Sequence, residues 1–211
     1  MDPRWKTPFT CLIAGSTSSG KSVWVKEFIT HLSEMTYPVP DEVVWCYGEW
    51  QDAYNSLKAR GVIFSEGLPD VDEWVNDRKR LVVLDDLMNE TDERVSRLFT
   101  KGSHHRGISV IQIVQNLFSN NKHQRTISLN SQYLVIFKNP RDKGQIMHLA
   151  RQMYPGQSQF VAEAFKSATE RPHGYLLFDL RQDTSEQFRL RTNIFPGEQH
   201  TVFVPKKINH V

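Results

Sequence analysis

Residues 15–22 read Gly-Ser-Thr-Ser-Ser-Gly-Lys-Ser, a full match to G-x-x-x-x-G-K-[ST]. The chemistry of this spacing is capture of a nucleotide's phosphates. Gly15 and Gly20 let the backbone curl, so that the N–H groups running through Ser16, Thr17, Ser18, Ser19, Lys21 and Ser22 turn toward one anion. Lys21 then reaches the β- and γ-phosphates of ATP, and the Ser22 hydroxyl is placed to ligate Mg2+. The bare string also fits a Gly/Ser-rich turn with a solvated lysine. Its flanks favour the phosphate loop. Phe9–Ala14 is a short, mostly apolar run suited to a buried strand, and Val23–Ser33 has the pattern of a helix opening at the loop.

Two more segments carry chemistry. Leu81-Val82-Val83-Leu84-Asp85-Asp86 is an apolar strand ending in two acids. Asp85, at the strand's C-terminal end, can hold Mg2+ directly or through water. Asp86 sits where a second carboxylate would polarise an attacking water. Alone, such a string is also an ordinary strand-to-turn boundary. Ile108–Asn116 is rich in β-branched residues and places Gln115 near its end. An amide there offers both a donor and an acceptor, so it can sense the γ-phosphate or orient water; a turn-capping amide is the plainer alternative. Gln112 falls mid-strand and reads as structural.

The elements that must position these groups alternate along the chain. Strands are expected near 9–14, 42–47, 80–85, 108–115, 133–138 and 174–180, as nearly continuous apolar runs of the kind covered on both faces. Helices are expected over 21–34, 50–59, 91–101, 142–153 and 158–169. Residues 174–180 and 187–194 read as a hairpin around Asp183-Thr184-Ser185. The expectation is a three-layer α/β fold: a mostly parallel central sheet, helices on both faces, and a C-terminal β-hairpin. The 211 residues suit a single domain, with a core over about 9–180 and a hairpin and tail over about 181–211.

Composition is that of an ordinary globular protein, with 39% hydrophobic and 24% charged residues. No apolar stretch approaches membrane-spanning length, and Met1–Lys6 lacks the shape of a signal peptide. Cys11 and Cys46 fall in two expected core strands, so buried free thiols and a reducing compartment are expected. Net charge of +2 hides an asymmetry: residues 1–99 carry 11 Lys/Arg against 17 Asp/Glu, and residues 100–211 carry 15 against 7. A basic half is either the footprint of a nucleic-acid-binding face or scattered solvated charge.

Together the three motifs resemble the additional-strand division of P-loop ATPases. Arg106-Gly107-Ile108-Ser109 leading to Gln115 is similar to the approach to the sensor-glutamine strand in the HerA–FtsK superfamily of DNA-pumping motors. Within it, five blocks resemble the genome-packaging ATPases of Maverick/Polinton elements, adintoviruses and adomavirus-like DNA viruses. They are Pro40–Tyr47, Leu84–Met88, Ile113–Phe118, Phe137–Asp142 and Ala150–Pro155. The resemblance runs from near Phe9 to near Gly197. It implies a homo-oligomeric ring that hydrolyses ATP to drive double-stranded DNA into a preformed capsid. Its partners would be DNA and a capsid-vertex or other virion protein. Its setting would be an infected cell, at a nuclear or cytoplasmic assembly site, or the virion itself.

Such rings place an arginine against the neighbour's γ-phosphate. Arg106 and Arg141 are the two candidates; Arg141 is favoured because Asn139-Pro140-Arg141-Asp142 reads as a fixed loop at the sheet's C-terminal edge. A surface ion pair is the plainer role for either. The resemblance departs at Asp86, one methylene shorter than the Glu many such motors carry, which leaves its role as base open. Lys122 and Arg125, in an expected polar loop over Ser119–Arg125, are candidate DNA contacts. His104-His105 reads as a polar loop rather than a metal site. Asn121-Lys122-His123-Gln124 lacks the acid of a guanine-reading motif. Trp24, Trp45, Trp50 and Trp74 read as core. Two other functions stay open: a cellular HerA/FtsK-like helicase or pump, against which the small size speaks, and a small-molecule P-loop kinase. ATPase activity measured with and without double-stranded DNA separates motor from kinase.

Overall fold

The computed structural model describes residues 2–74, 78–85, 87, 93–102, 106–118, 122–141 and 144–206. Its strands are β1 (Trp5–Lys6), β2 (Thr10–Ala14), β3 (Thr36–Tyr37), β4 (Glu42–Tyr47), β5 (Ile63–Glu66), β6 (Arg80–Asp85), β7 (Ile108–Val114), β8 (Tyr133–Phe137), β9 (Tyr175–Asp179), β10 (Leu190–Thr192) and β11 (Thr201–Phe203). Among the described residues, β1 and β3 pair with each other, and the other nine form one sheet in the order β11-β10-β9-β8-β2-β7-β6-β4-β5. The strands from β8 to β5 run parallel, while β9, β10 and β11 join antiparallel. The mixed α/β architecture with a large central sheet is the one the sequence leads one to expect.

Every residue of β2, β7 and β8 is buried. Alternation along the central strands, β6 included, splits the core into two clusters. Leu12, Ala14, Val82, Leu84 and Val110 face one way, and Cys11, Ile13, Leu81, Val83 and Ile111 the other. The second face is covered by helix α1 (Lys21–Thr30) through Trp24, Val25, Phe28 and Ile29. Trp24 and Phe28, one turn apart, stack at 5.4 Å between ring centroids. Phe28 is fully buried, and truncating such a side chain costs about 3–5 kcal/mol. The short helices α2 (Leu32–Met35) and α3 (Asn55–Lys58) lie on this side as well, through Met35 and Leu57. The first face is covered by α4 (Glu93–Arg97), continued by a π-helical turn over Leu98–Gly102, and by α5 (Lys122–Leu129), α6 (Gly144–Met153) and α7 (Ser158–Ala168).

Some expectations need correction. The helix expected over 21–34 breaks at His31, whose ring bonds Glu27 on one side and Glu34 on the other. The polar loop expected over 119–125 is helical from Lys122 on, because Gln124 and Ile127 share a buried face. Trp50 is not core: it is 42% exposed, whereas Trp24 and Trp45 are buried. Edge strand β5 is an addition to the expected set, since Ile63-Phe64-Ser65-Glu66 lacks a buried run. Strand β11 lies in the segment expected to be tail. Both cysteines are buried thiols, and among the described residues neither forms a disulfide. His104, His105 and Asp142 lie outside the described residues. Among the described residues no helix is long and apolar enough to cross a membrane.

Candidate functional site

The chain moves to one side of β2 for β4, β6 and β7 and to the other for β8. The C-terminal end of β2 is therefore a switch point, where parallel α/β sheets open a crevice for ligands. The loop Gly15–Ser22 sits there. Its curl depends on backbone angles that favour glycine at one position: Gly20 has φ 106°, and Ser18 also adopts the left-handed region at 61°. Gly15 is needed for another reason. A Cβ on it would lie 2.7 Å from Cβ of Phe137 in β8 and 2.7 Å from Oγ of Ser19. The Lys21 ammonium donates to the carbonyls of Gly15 (2.6 Å) and Ser16 (2.8 Å), which centres its charge inside the curl. The first turn of α1 contributes no acid of its own to the positive end of the helix. Among the described residues the buried Ser19 hydroxyl has no hydrogen-bond partner, and His173 closes the flank with its ring 3.2 Å from the Ser19 carbonyl. A cradle this tight, lined with N–H groups and one ammonium, fits the phosphates of ATP.

Asp85 ends β6 on the same edge and is buried. Its Oδ2 lies 3.4 Å from Oγ of Ser22. Both are hard oxygen donors. Neighbouring oxygen ligands of Mg2+ stand about 3 Å apart, so Ser22 and Asp85 would together suit one such ion. Tyr54, which sequence reading did not single out, donates its hydroxyl to the same Oδ2 at 3.0 Å. Lys26, one helical turn beyond Ser22, stands over the Tyr54 ring at 5.6 Å. Burial pushes its ammonium pKa down, and the Asp85 charge partly opposes that.

Gln115 is exposed at the end of β7. The Gly15 N–H donates to the carbonyl of its neighbour Val114 at 3.3 Å, which ties the Gly15–Ser22 loop to the strand that ends before Gln115. Three amides lie nearby, of which sequence reading used Asn139 for its loop and gave no role to Asn116 or Gln145. Asn116 Oδ1 accepts from Asn139 (3.4 Å) and Gln145 (3.3 Å), and Asn139 Oδ1 accepts from the backbone of Arg141 (3.1 Å). The loop carrying Arg141 is thus tied to the end of β7, with Arg141 itself exposed. Beside Gly15 and Gln115 a cleft of about 560 Å3 opens between the ends of β7 and β8 and helices α6 and α7.

Arg106 does not join this group. It precedes β7, whose seven residues span roughly 20 Å toward the opposite edge of the sheet. There it donates to the Val71 carbonyl (2.7 Å) and pairs with Asp72 (2.9 Å), which also takes Arg97 at 3.3 Å. Asp86 lies outside the described residues. Lys122 and Arg125 are exposed on α5. No group of three or more His, Cys, Asp or Glu that could hold a metal occurs among the described residues.

No protein-family model and no curated protein sequence matches the chain. Its fold is similar to that of solved structures of the genome packaging NTPase B204 from Sulfolobus turreted icosahedral virus 2. The complex with ATP-gammaS aligns over 97% of this chain and 99% of that one, at 12% identity and a TM-score of 0.54. The AMPPCP complex aligns over 97% and 100%, at 10% identity and 0.53.

Proposed function

We propose that this chain is an ATP-hydrolysing motor subunit that moves double-stranded viral DNA into a preformed capsid. The observation that carries the reading is the convergence of Ser22 and Asp85, 63 residues apart, at 3.4 Å on the edge that holds the phosphate loop. The sheet order supports it. Strand β7, which leads into Gln115, lies between the phosphate-loop strand β2 and the acid-bearing β6, which is the arrangement of the additional-strand division. The likeness in fold to a viral packaging NTPase solved with ATP analogues points the same way, as do the five blocks resembling HerA–FtsK packaging motors.

In this reading Lys21 and the loop N–H groups, Gly15 to Ser22, hold the β- and γ-phosphates. Ser22 and Asp85 hold Mg2+, which when bound neutralises charge on those phosphates. Gln115 reads the γ-phosphate side of the site from the end of β7. Asp86 takes the proton of the attacking water. Arg141 or Arg106 completes a neighbour's site, which makes hydrolysis depend on a ring. The basic second half of the chain faces DNA, and a capsid-vertex or other virion protein anchors the ring at an assembly site in the infected cell.

ATP turnover with and without double-stranded DNA tests the reading. Turnover that rises with DNA length and vanishes in Lys21→Ala supports a motor. DNA-independent transfer of phosphate to a small molecule instead of water assigns the chain to the kinases.

A further inference from the structure

Tyr54 comes after β4 in the loop that arrives at Asp85, because Tyr47 at the end of β4 pairs in register with Asp85 at the end of β6. The Tyr54 side chain is fully buried. Its ring is stacked on Phe64 at 5.5 Å and touches Trp45 (5.3 Å), Tyr47 (6.0 Å) and Trp50 (5.6 Å). A ring held on several sides leaves its hydroxyl one position, and that position is 3.0 Å from Asp85 Oδ2. The same oxygen faces Ser22. A phenol hydroxyl carries no charge at neutral pH and donates one hydrogen bond, so it orients a carboxylate without neutralising it. A lysine in its place would pair with the acid and compete with a cation. Lys26 stands above the ring, 5.6 Å from its centroid.

We propose that Tyr54 is a positioning residue, which fixes the Asp85 carboxylate in the orientation that accepts the divalent cation of a bound nucleotide. This rests on the proposed role of Asp85 as a Mg2+ ligand. Partners that orient a metal-ligating side chain govern affinity by about 10–100-fold. The aromatic cluster around Tyr54 then has a task beyond filling space: it transmits the rigidity of β4 and β5 to a single oxygen atom.

The test uses the full chain with Mn2+ as probe and AMPPCP as nucleotide. Free Mn2+ is followed by electron paramagnetic resonance, AMPPCP binding without metal by calorimetry, and folding by thermal melts. In Tyr54→Phe, which keeps the ring, Mn2+ affinity in the presence of AMPPCP should fall about tenfold or more. Metal-free AMPPCP binding should stay as in wild type. On an Asp85→Asn background, Tyr54→Phe should cost nothing further. Wild-type Mn2+ affinity in Tyr54→Phe, or full additivity of the two substitutions, overturns the inference. If Asp85→Asn itself binds Mn2+ as well as wild type, the assignment of Asp85 fails, and with it this proposal. Tyr54→His, whose donor is too short to reach the acid, is the second variant should the phenylalanine chain not fold. Undiminished Mn2+ affinity in it counts equally against the inference.

Discussion

Oγ of Ser22, at the start of a helix, lies 3.4 Å from Oδ2 of Asp85, at the end of a strand two places away in the sheet. That proximity brings the Gly15–Ser22 loop and an acidic strand end together on one edge of the sheet, where their parts can be removed one at a time.

Lys21→Ala removes the charge centred within the loop's curl and no core packing. Hydrolysis should fall by at least roughly 10²–10³-fold, the scale of losing one preorganised charge contact. The melting temperature should stay near that of wild type. A steady-state ATPase assay paired with a thermal melt checks both, and near-normal turnover would remove the loop from the chemistry.

Gly15→Ala puts a methyl 2.7 Å from Phe137 Cβ. Overpacking of this kind costs about 1–3 kcal/mol, so the melting temperature should drop by several degrees. Nucleotide affinity should weaken as the loop is pushed off β8. Unchanged melting and binding would mean the loop and β8 are not in contact.

The two arginines should separate by stability. Arg141 is exposed, so Arg141→Ala should leave melting unchanged, whereas Arg106→Ala breaks bonds to Asp72 and Val71 and should lower it. If one of them acts in trans within a ring, its loss should reduce turnover by about 10³–10⁵-fold. Mixing that variant with Lys21→Ala subunits should restore partial activity, because some interfaces then pair an intact loop with an intact arginine. Mixed rings that form but stay inactive would exclude both residues from that role.

Lys122 and Arg125 stand three residues apart on the exposed side of α5. If they touch the DNA backbone, binding should be independent of sequence and weaken steeply with salt. Replacing both by Ala should flatten the plot of log affinity against log salt by about 2. A salt titration by fluorescence anisotropy measures this, and an unchanged slope places the DNA elsewhere.

Asp183 pairs with Lys6 and Arg181, joining the N-terminal segment to the turn between β9 and β10. Lys6 first and Arg181 second hold its carboxyl down, from an ordinary 3.8 to about 2. A depressed carboxyl stabilises the fold above its unfolded pKa and loses that effect as pH falls toward the folded one. Stability should therefore decline between about pH 4 and pH 2. Asp183→Asn should remove part of that slope, as seen in denaturant unfolding across this range. The pair is exposed, so the effect is small.

The phosphate loop, the acid-tipped strand and the Gln115 strand are legible in the sequence because each is a local pattern. A loop that needs φ above zero takes glycine, and a strand buried on both faces reads as an unbroken apolar run. The edge strands β5 and β11 are not, since a half-exposed strand carries no such run. The mutual placement of the motifs needs the folded chain. Nothing local in residues 108–114 states that they pair between β2 and β6, which is settled by matching of buried faces between segments far apart in the chain. The pairing of β4 with β6 brings Tyr54 to Asp85, which no pattern around residue 54 announces. The pairing of β7 also sends Arg106 to the edge far from its own phosphate loop, because a parallel strand carries the residues at its two ends to opposite edges of the sheet.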